Sequence, residues 1–113
     1  MTVQELIGEL SLAVLSGQAQ LEQQITGGYV SDLLSNVMGH TVAGNVWVTM
    51  QAHQNVVAVA SLAGLAAVII AGGVEAEAGV IARAEKENVV LLATPLPAFE
   101  VVGRLYRQGI QGV

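Results

Sequence analysis

Residues 44–73 read GNVWVTMQAHQNVVAVASLAGLAAVIIAGG and contain no Asp, Glu, Lys or Arg. This stretch decides the fold. Asn45 to Met50 alternates, with Val46, Val48 and Met50 on one side and Trp47 and Thr49 on the other, the period-2 pattern of a strand. Gln51 to Gln54 then leave the strand. Asn55 is a suitable N-cap for a helix over Val56 to Leu62, and Gly64 is a suitable stop. Ala66 to Ala71 is short, rich in β-branched residues and closed by Gly72-Gly73. It has the pattern of a strand buried on both faces. The unit is strand, helix, strand, for which a right-handed crossover is expected.

A membrane span is the rival reading. Val56 to Val74 is 19 residues without a charge, long enough to cross a bilayer. Three observations oppose it. Ala and Gly make up much of the run, Gly64 and Gly72-Gly73 punctuate it, and no Lys or Arg precedes Arg83 to anchor it.

The uncharged run extends outward from Leu33 to Val74, 42 residues. Residues 1–82 hold six acids (Glu5, Glu9, Glu22, Asp32, Glu75 and Glu77) and no base. Arg83, Lys86, Arg104 and Arg107 supply all four. A net charge of −5 without a basic stripe gives nothing to bind a phosphate backbone, so nucleic acid is excluded as a partner. The absence of Cys rules out disulfides and thiolate metal sites. Glu5 and Glu9 stand where a signal peptide would carry Lys or Arg, and a cytoplasmic protein is expected. Only 12% of the 113 residues are charged against 53% apolar. One domain spanning 1–113 with so few charges is expected to cover part of its surface by forming a two-fold homodimer, with Gly27 to Val42 as an interface candidate and Trp47, on the outer side of its strand, as a packing or interface residue.

The remaining segments alternate. Thr2 and Glu5 form a capping box ahead of a helix to about Glu9, and Leu12 to Leu15 is a short strand before Ser16-Gly17. Ile25 to Val30 precedes a helix over Asp32 to Met38, capped by Ser31 and favoured by Asp32 near its start. Glu75 to Asn88 is an amphipathic helix and Val89 to Ala93 a continuous apolar strand. Thr94 to Pro97 turns the chain into a helix ending near Gln108. The class is α/β, three-layered, with a mostly parallel sheet and helices on both faces.

Chemistry is sparse. Gly27-Gly28 with Ser31 leads into a helix start and offers an anion site or simply a tight turn; it lacks the Lys of a phosphate-binding loop. Gln51, His53 and Asn55, and separately Thr94, follow strand carboxyl ends, where open parallel sheets bind ligands. His53 is either a general base or a structural cap, and no dyad partner adjoins it. His40 and His53 have no metal-ligand spacing. Thr26, Gly27, Gly28, Ser31, Gln51, His53, Asn55 and Thr94 are therefore the candidate site for a small anionic or polar ligand or nucleotide. They carry no metal and no cofactor.

Thr26-Gly27-Gly28-Tyr29-Val30-Ser31-Asp32, Trp47 to Ala60, and Phe99 to Tyr106 together resemble the DRTGG domain family over nearly the whole chain. Gln24-Ile25 replace the name-giving Asp-Arg, and Pro97 stands in place of a capping hydroxyl. The resemblance implies a fold similar to the N-terminal domains of HPr kinase/phosphorylase and Mur ligases. It also implies a small dimeric cytoplasmic module, of the kind found in phosphate acetyltransferases and beside CBS domains in pyrophosphatases. Such a module is regulatory or architectural and has no catalysis of its own. A small enzyme using His53, or a structural subunit of a larger complex, is the alternative.

Overall fold

The structure, a computed structural model, describes all 113 residues. Five strands form one sheet in the order β1-β5-β4-β3-β2: β1 Ala13–Ser16, β2 Gly27–Val30, β3 Asn45–Thr49, β4 Ala67–Ile70 and β5 Leu91–Ala93. β2 to β5 are parallel, and β1 pairs antiparallel with β5. The helices are α1 Val3–Leu10, α2 Leu34–His40, α3 Gln54–Ala63, α4 Ala78–Lys86 and α5 Ala98–Arg107. The α/β, three-layer, mostly parallel reading holds. No helix is long and apolar enough to cross a membrane, because αL residue Gly64 ends α3 and the chain re-enters the sheet as β4.

Every residue of β3 and β4 is buried. Val46, Val48, Ala67 and Ile69 face one layer, packed with Val3 and Leu6 of α1 and Val101 and Leu105 of α5. Trp47, Val68 and Ile70 face the other, packed with Val37 of α2, Val56, Val57 and Ala60 of α3, and Val80 and Ala84 of α4. Alternation thus assigns the two faces of β3 correctly. It does not make Trp47 an outer residue. Trp47 is fully buried and its Nε1 donates to the Ser31 carbonyl at 2.8 Å, so it cannot serve as an interface residue.

Two other expectations are corrected. Helix α2 begins at Leu34, not Asp32, and Ser31 does not cap it; its hydroxyl accepts only the Leu33 N–H. Gly27-Gly28 form neither a turn nor a helix entry. They lie within β2, where residues 110–113 press on them. Gly28 N–H donates to the Gln111 carbonyl at 2.9 Å, and Val113 N–H donates to the Gly28 carbonyl at 3.3 Å. A Cβ on Gly27 would stand 2.8 Å from Val113 and one on Gly28 3.3 Å from Ile110. The glycines admit a neighbouring chain segment against the sheet edge.

At the other edge the β1–β5 register shifts between Val14 and Ser16. The buried Ser16 hydroxyl bridges the break, donating to the Val89 carbonyl at 2.8 Å and accepting the Leu91 N–H at 3.2 Å. Gly17 follows at φ +84°, and a Cβ there would lie 2.7 Å from Val90 Cα and 3.0 Å from the Val89 carbonyl. Backbone cannot yield as a side-chain tip does. Gly17→Ala should therefore lose roughly 2–4 kcal/mol in urea unfolding. Gly8→Ala, mid-helix with nothing within 4 Å, should be neutral or gain up to ~1 kcal/mol. Equal effects at the two positions would contradict this packing.

Candidate functional site

The parallel register sends four strand ends the same way. Val30 pairs with Val48, Thr49 with Ile70 and Ile70 with Ala93, so Ser31, Gln51, Gly72 and Thr94 all emerge at the carboxyl edge. Gly27 pairs with Asn45 at the other end of β2. The structure therefore divides the candidate residues. Ser31, Gln51, His53, Asn55 and Thr94 share the carboxyl edge. Thr26, Gly27 and Gly28 lie toward the opposite end and do not converge with them. Thr26 has structural work there: its hydroxyl donates to the Ala43 carbonyl and accepts from Asn45 Nδ2, both at 3.0 Å.

At the carboxyl edge most polar groups are spoken for. Asp32, whose place before a helix suggests only a partner for the helix dipole, is the organiser. Its Oδ1 accepts the Thr49 hydroxyl at 2.6 Å and the Met50 N–H at 2.9 Å. That carboxylate, with the Trp47 bond to Ser31, clamps the β2–α2 loop onto the end of β3. Thr49 Oγ1 in turn accepts the Gln51 N–H at 3.2 Å. His53 is the N-cap of α3, its Nδ1 accepting the Asn55 N–H at 3.2 Å; the cap is His53 itself rather than Asn55. Buried Thr94 accepts the Leu96 N–H at 3.2 Å. Gly72 and Gly73, both at positive φ, donate to the carbonyls of Leu96 and Thr94 at 2.7 and 3.0 Å.

Gln51 is the exception. Its Oε1 is buried and has no hydrogen-bond partner. An acceptor withdrawn from water without a donor costs about 1–3 kcal/mol. Beside Thr94 lies a cavity of about 340 Å³ walled by Ala13, Leu15, Val74, Ile81, Ala93 and Pro95 among others, with Glu75 at its edge. Only tertiary structure could show that cavity, because one wall comes from antiparallel β1. The loops at this edge carry Asp32, Glu75 and Glu77 and no Lys or Arg. Arg83 of α4 reaches Gln54 at 3.4 Å, but it is paired with Glu87 at 2.6 Å. No three His, Asp or Glu residues cluster to hold a metal ion.

A sheet in this order, with two helices on one face and three on the other, carries a recognisable sequence pattern. A family model described as the DRTGG domain matches residues 5–108, and the chain belongs to that family. Its fold is similar to part of a solved structure, the CBS and DRTGG domains of the regulatory region of Clostridium perfringens pyrophosphatase complexed with the activator diadenosine tetraphosphate. The two superpose with a TM-score of 0.76 at 16% identity, over 97% of this chain and 47% of that one. This chain thus spans less than half the length of that solved region. No curated protein sequence matches the chain.

The hydrogen bonds separate two substitutions. Asp32→Ala strips a charged acceptor from a buried hydroxyl and a backbone N–H. It should cost about 1.5–3 kcal/mol. His53→Ala removes one exposed cap and should cost roughly 0.5–1 kcal/mol. Chemical denaturation of both variants checks the order; a larger loss at His53 would place the constraint on the wrong loop.

Proposed function

We propose that the chain is a regulatory or assembly module that self-associates and binds a small polar ligand of nucleoside or nucleotide type at the carboxyl edge of its sheet. The observation that carries this reading is the buried, unpartnered Oε1 of Gln51, at the same carboxyl edge of the sheet as Ser31, His53 and Asn55. A base or sugar donor would complete it. Thr94 and its neighbouring cavity offer an apolar wall for a ring; at about 340 Å³ it falls at the small end of ligand pockets. The edge loops present no unpaired cation, so they suit a base and ribose better than a bare phosphate chain. The solved relative, a regulatory region complexed with a dinucleoside activator, is in keeping with this choice.

Catalysis has less support. His53 spends one ring nitrogen on the α3 cap, and no carboxylate is hydrogen-bonded to its ring to make a base–orienter pair. A cytoplasmic setting suits a chain without cysteine.

Thermal unfolding with adenosine, ATP, ADP and diadenosine tetraphosphate tests the proposal. One of them at 100 times its Kd should stabilise the protein by ~2.7 kcal/mol. Gln51→Leu should leave the free protein as stable or slightly more so, since it removes an unmet acceptor, while abolishing the ligand shift. No shift from any of the four at millimolar concentration would defeat the proposal.

A further inference from the structure

The geometry points to α5 as the self-association surface, paired antiparallel with α5 of a second copy about a two-fold axis close to Gly103. This rests on the reading that the chain self-associates. Helix α5 buries Val101 and Leu105 and turns two unlike flanks outward. One is apolar: Phe99 is 88% exposed, Tyr106 is 64% exposed, and Val102 is half-buried between them. The other is charged, with Glu100, Arg104 and Arg107. Gly103 lies between the flanks, and nothing stands within 4 Å of its Cβ position. Gly8 of α1 is equally bare, but its helix neighbours Gln4, Glu5 and Ser11 are polar.

The spacing is self-complementary. A two-fold axis perpendicular to both helices brings each position before Gly103 to the matching position after it, and it keeps each flank on its own side. Phe99 lies four residues before Gly103 and Tyr106 three after. Each Phe99 therefore meets the partner's Tyr106, an aromatic pair. Glu100 lies three before and Arg107 four after, so each Glu100 meets the partner's Arg107. Arg107 has no ion pair within its own chain, and Glu100 has only a loose contact to Arg104 at 3.6 Å. Both matches occur twice across the axis, and both centre on the one residue without a side chain. A glycine there lets the helix axes approach to the near end of the usual 8–10 Å range.

The apolar flank continues past the helix. A groove of about 290 Å³ runs between α5 and β2, lined by Val30, Val48, Val102 and Tyr106 among others. Val30 is 48% exposed. A stable pair buries roughly 1,200 Å² or more, so the seam along α5 extends over this groove, where the partner's Phe99 enters beside Tyr106. Leu33, Met38 and Val42 also expose apolar surface on the α2 side. No Lys or Arg accompanies them to fix a register.

Sedimentation velocity from 1 to 100 μM, with circular dichroism as the folding control, tests the pairing. The unmodified chain should dimerise. Gly103→Leu adds a better helix former at an exposed site, so helicity should persist while the dimer is lost. Glu100→Arg and Arg107→Glu should each weaken dimerisation by at least about tenfold, and the double reversal should restore it. A chain monomeric at 100 μM overturns self-association itself. A dimer that survives Gly103→Leu and both reversals overturns only this surface. Single reversals that weaken the dimer without rescue in combination overturn the antiparallel register.

Discussion

β3 and β4 have no face that water can touch. That constraint dictates the architecture. The order β2-β3-β4-β5 is sequential, so crossovers of one hand place α2, α3 and α4 on the same side of the sheet. The crossovers alone would leave Val46, Val48, Ala67 and Ile69 bare. The second layer has to come from outside the crossover series, and it does: α1 precedes the parallel strands and α5 follows them. The same need explains β1, which adds an antiparallel strand beside β5 and carries the chain on from α1.

Much of this was legible because burial on both faces leaves a compositional mark. A charge-free run broken by Gly64 and Gly72-Gly73 cannot be a surface helix. Its alternation at Val46-Trp47-Val48 sorts the side chains between layers correctly. The capping box at Thr2 and Glu5 is local, and it formed as expected, with each side chain bonded to the other's backbone. The Thr2 N–H and the Thr2 hydroxyl both donate to the Glu5 carboxylate and hold it below its ordinary range, the N–H contributing most.

What could not be read was set by residues far away in sequence. Gly27-Gly28 have the composition of a turn, but their lack of side chains answers to Ile110 and Val113, more than 80 positions later. The period-2 pattern shows that Trp47 faces away from Val46 and Val48. It cannot show whether that face meets water or three helices. Asp32 precedes a helix, and proximity suggests a dipole partner, yet its carboxylate is used by Thr49 and Met50 on the adjacent strand. In each case local chemistry allowed two uses, and tertiary contact selected one.

The same selection separates the candidate site into structural and available groups. Burial alone does not mark a functional polar residue, since Ser16, Asn45, Thr49 and Thr94 are all buried and all hydrogen-bonded. His53 sits at the edge where ligands bind in such sheets, yet its Nδ1 closes the helix that begins there. The discriminating quantity is an unmet hydrogen-bonding capacity in a place water does not reach. Gln51 Oε1 is the only buried side-chain oxygen or nitrogen in the chain with that property. Its backbone is fixed through Thr49 to Asp32, so the loop stays in place while the amide keeps its cost. The fold satisfies every other buried polar side chain, so its one unmet acceptor stands at the carboxyl ends of parallel strands.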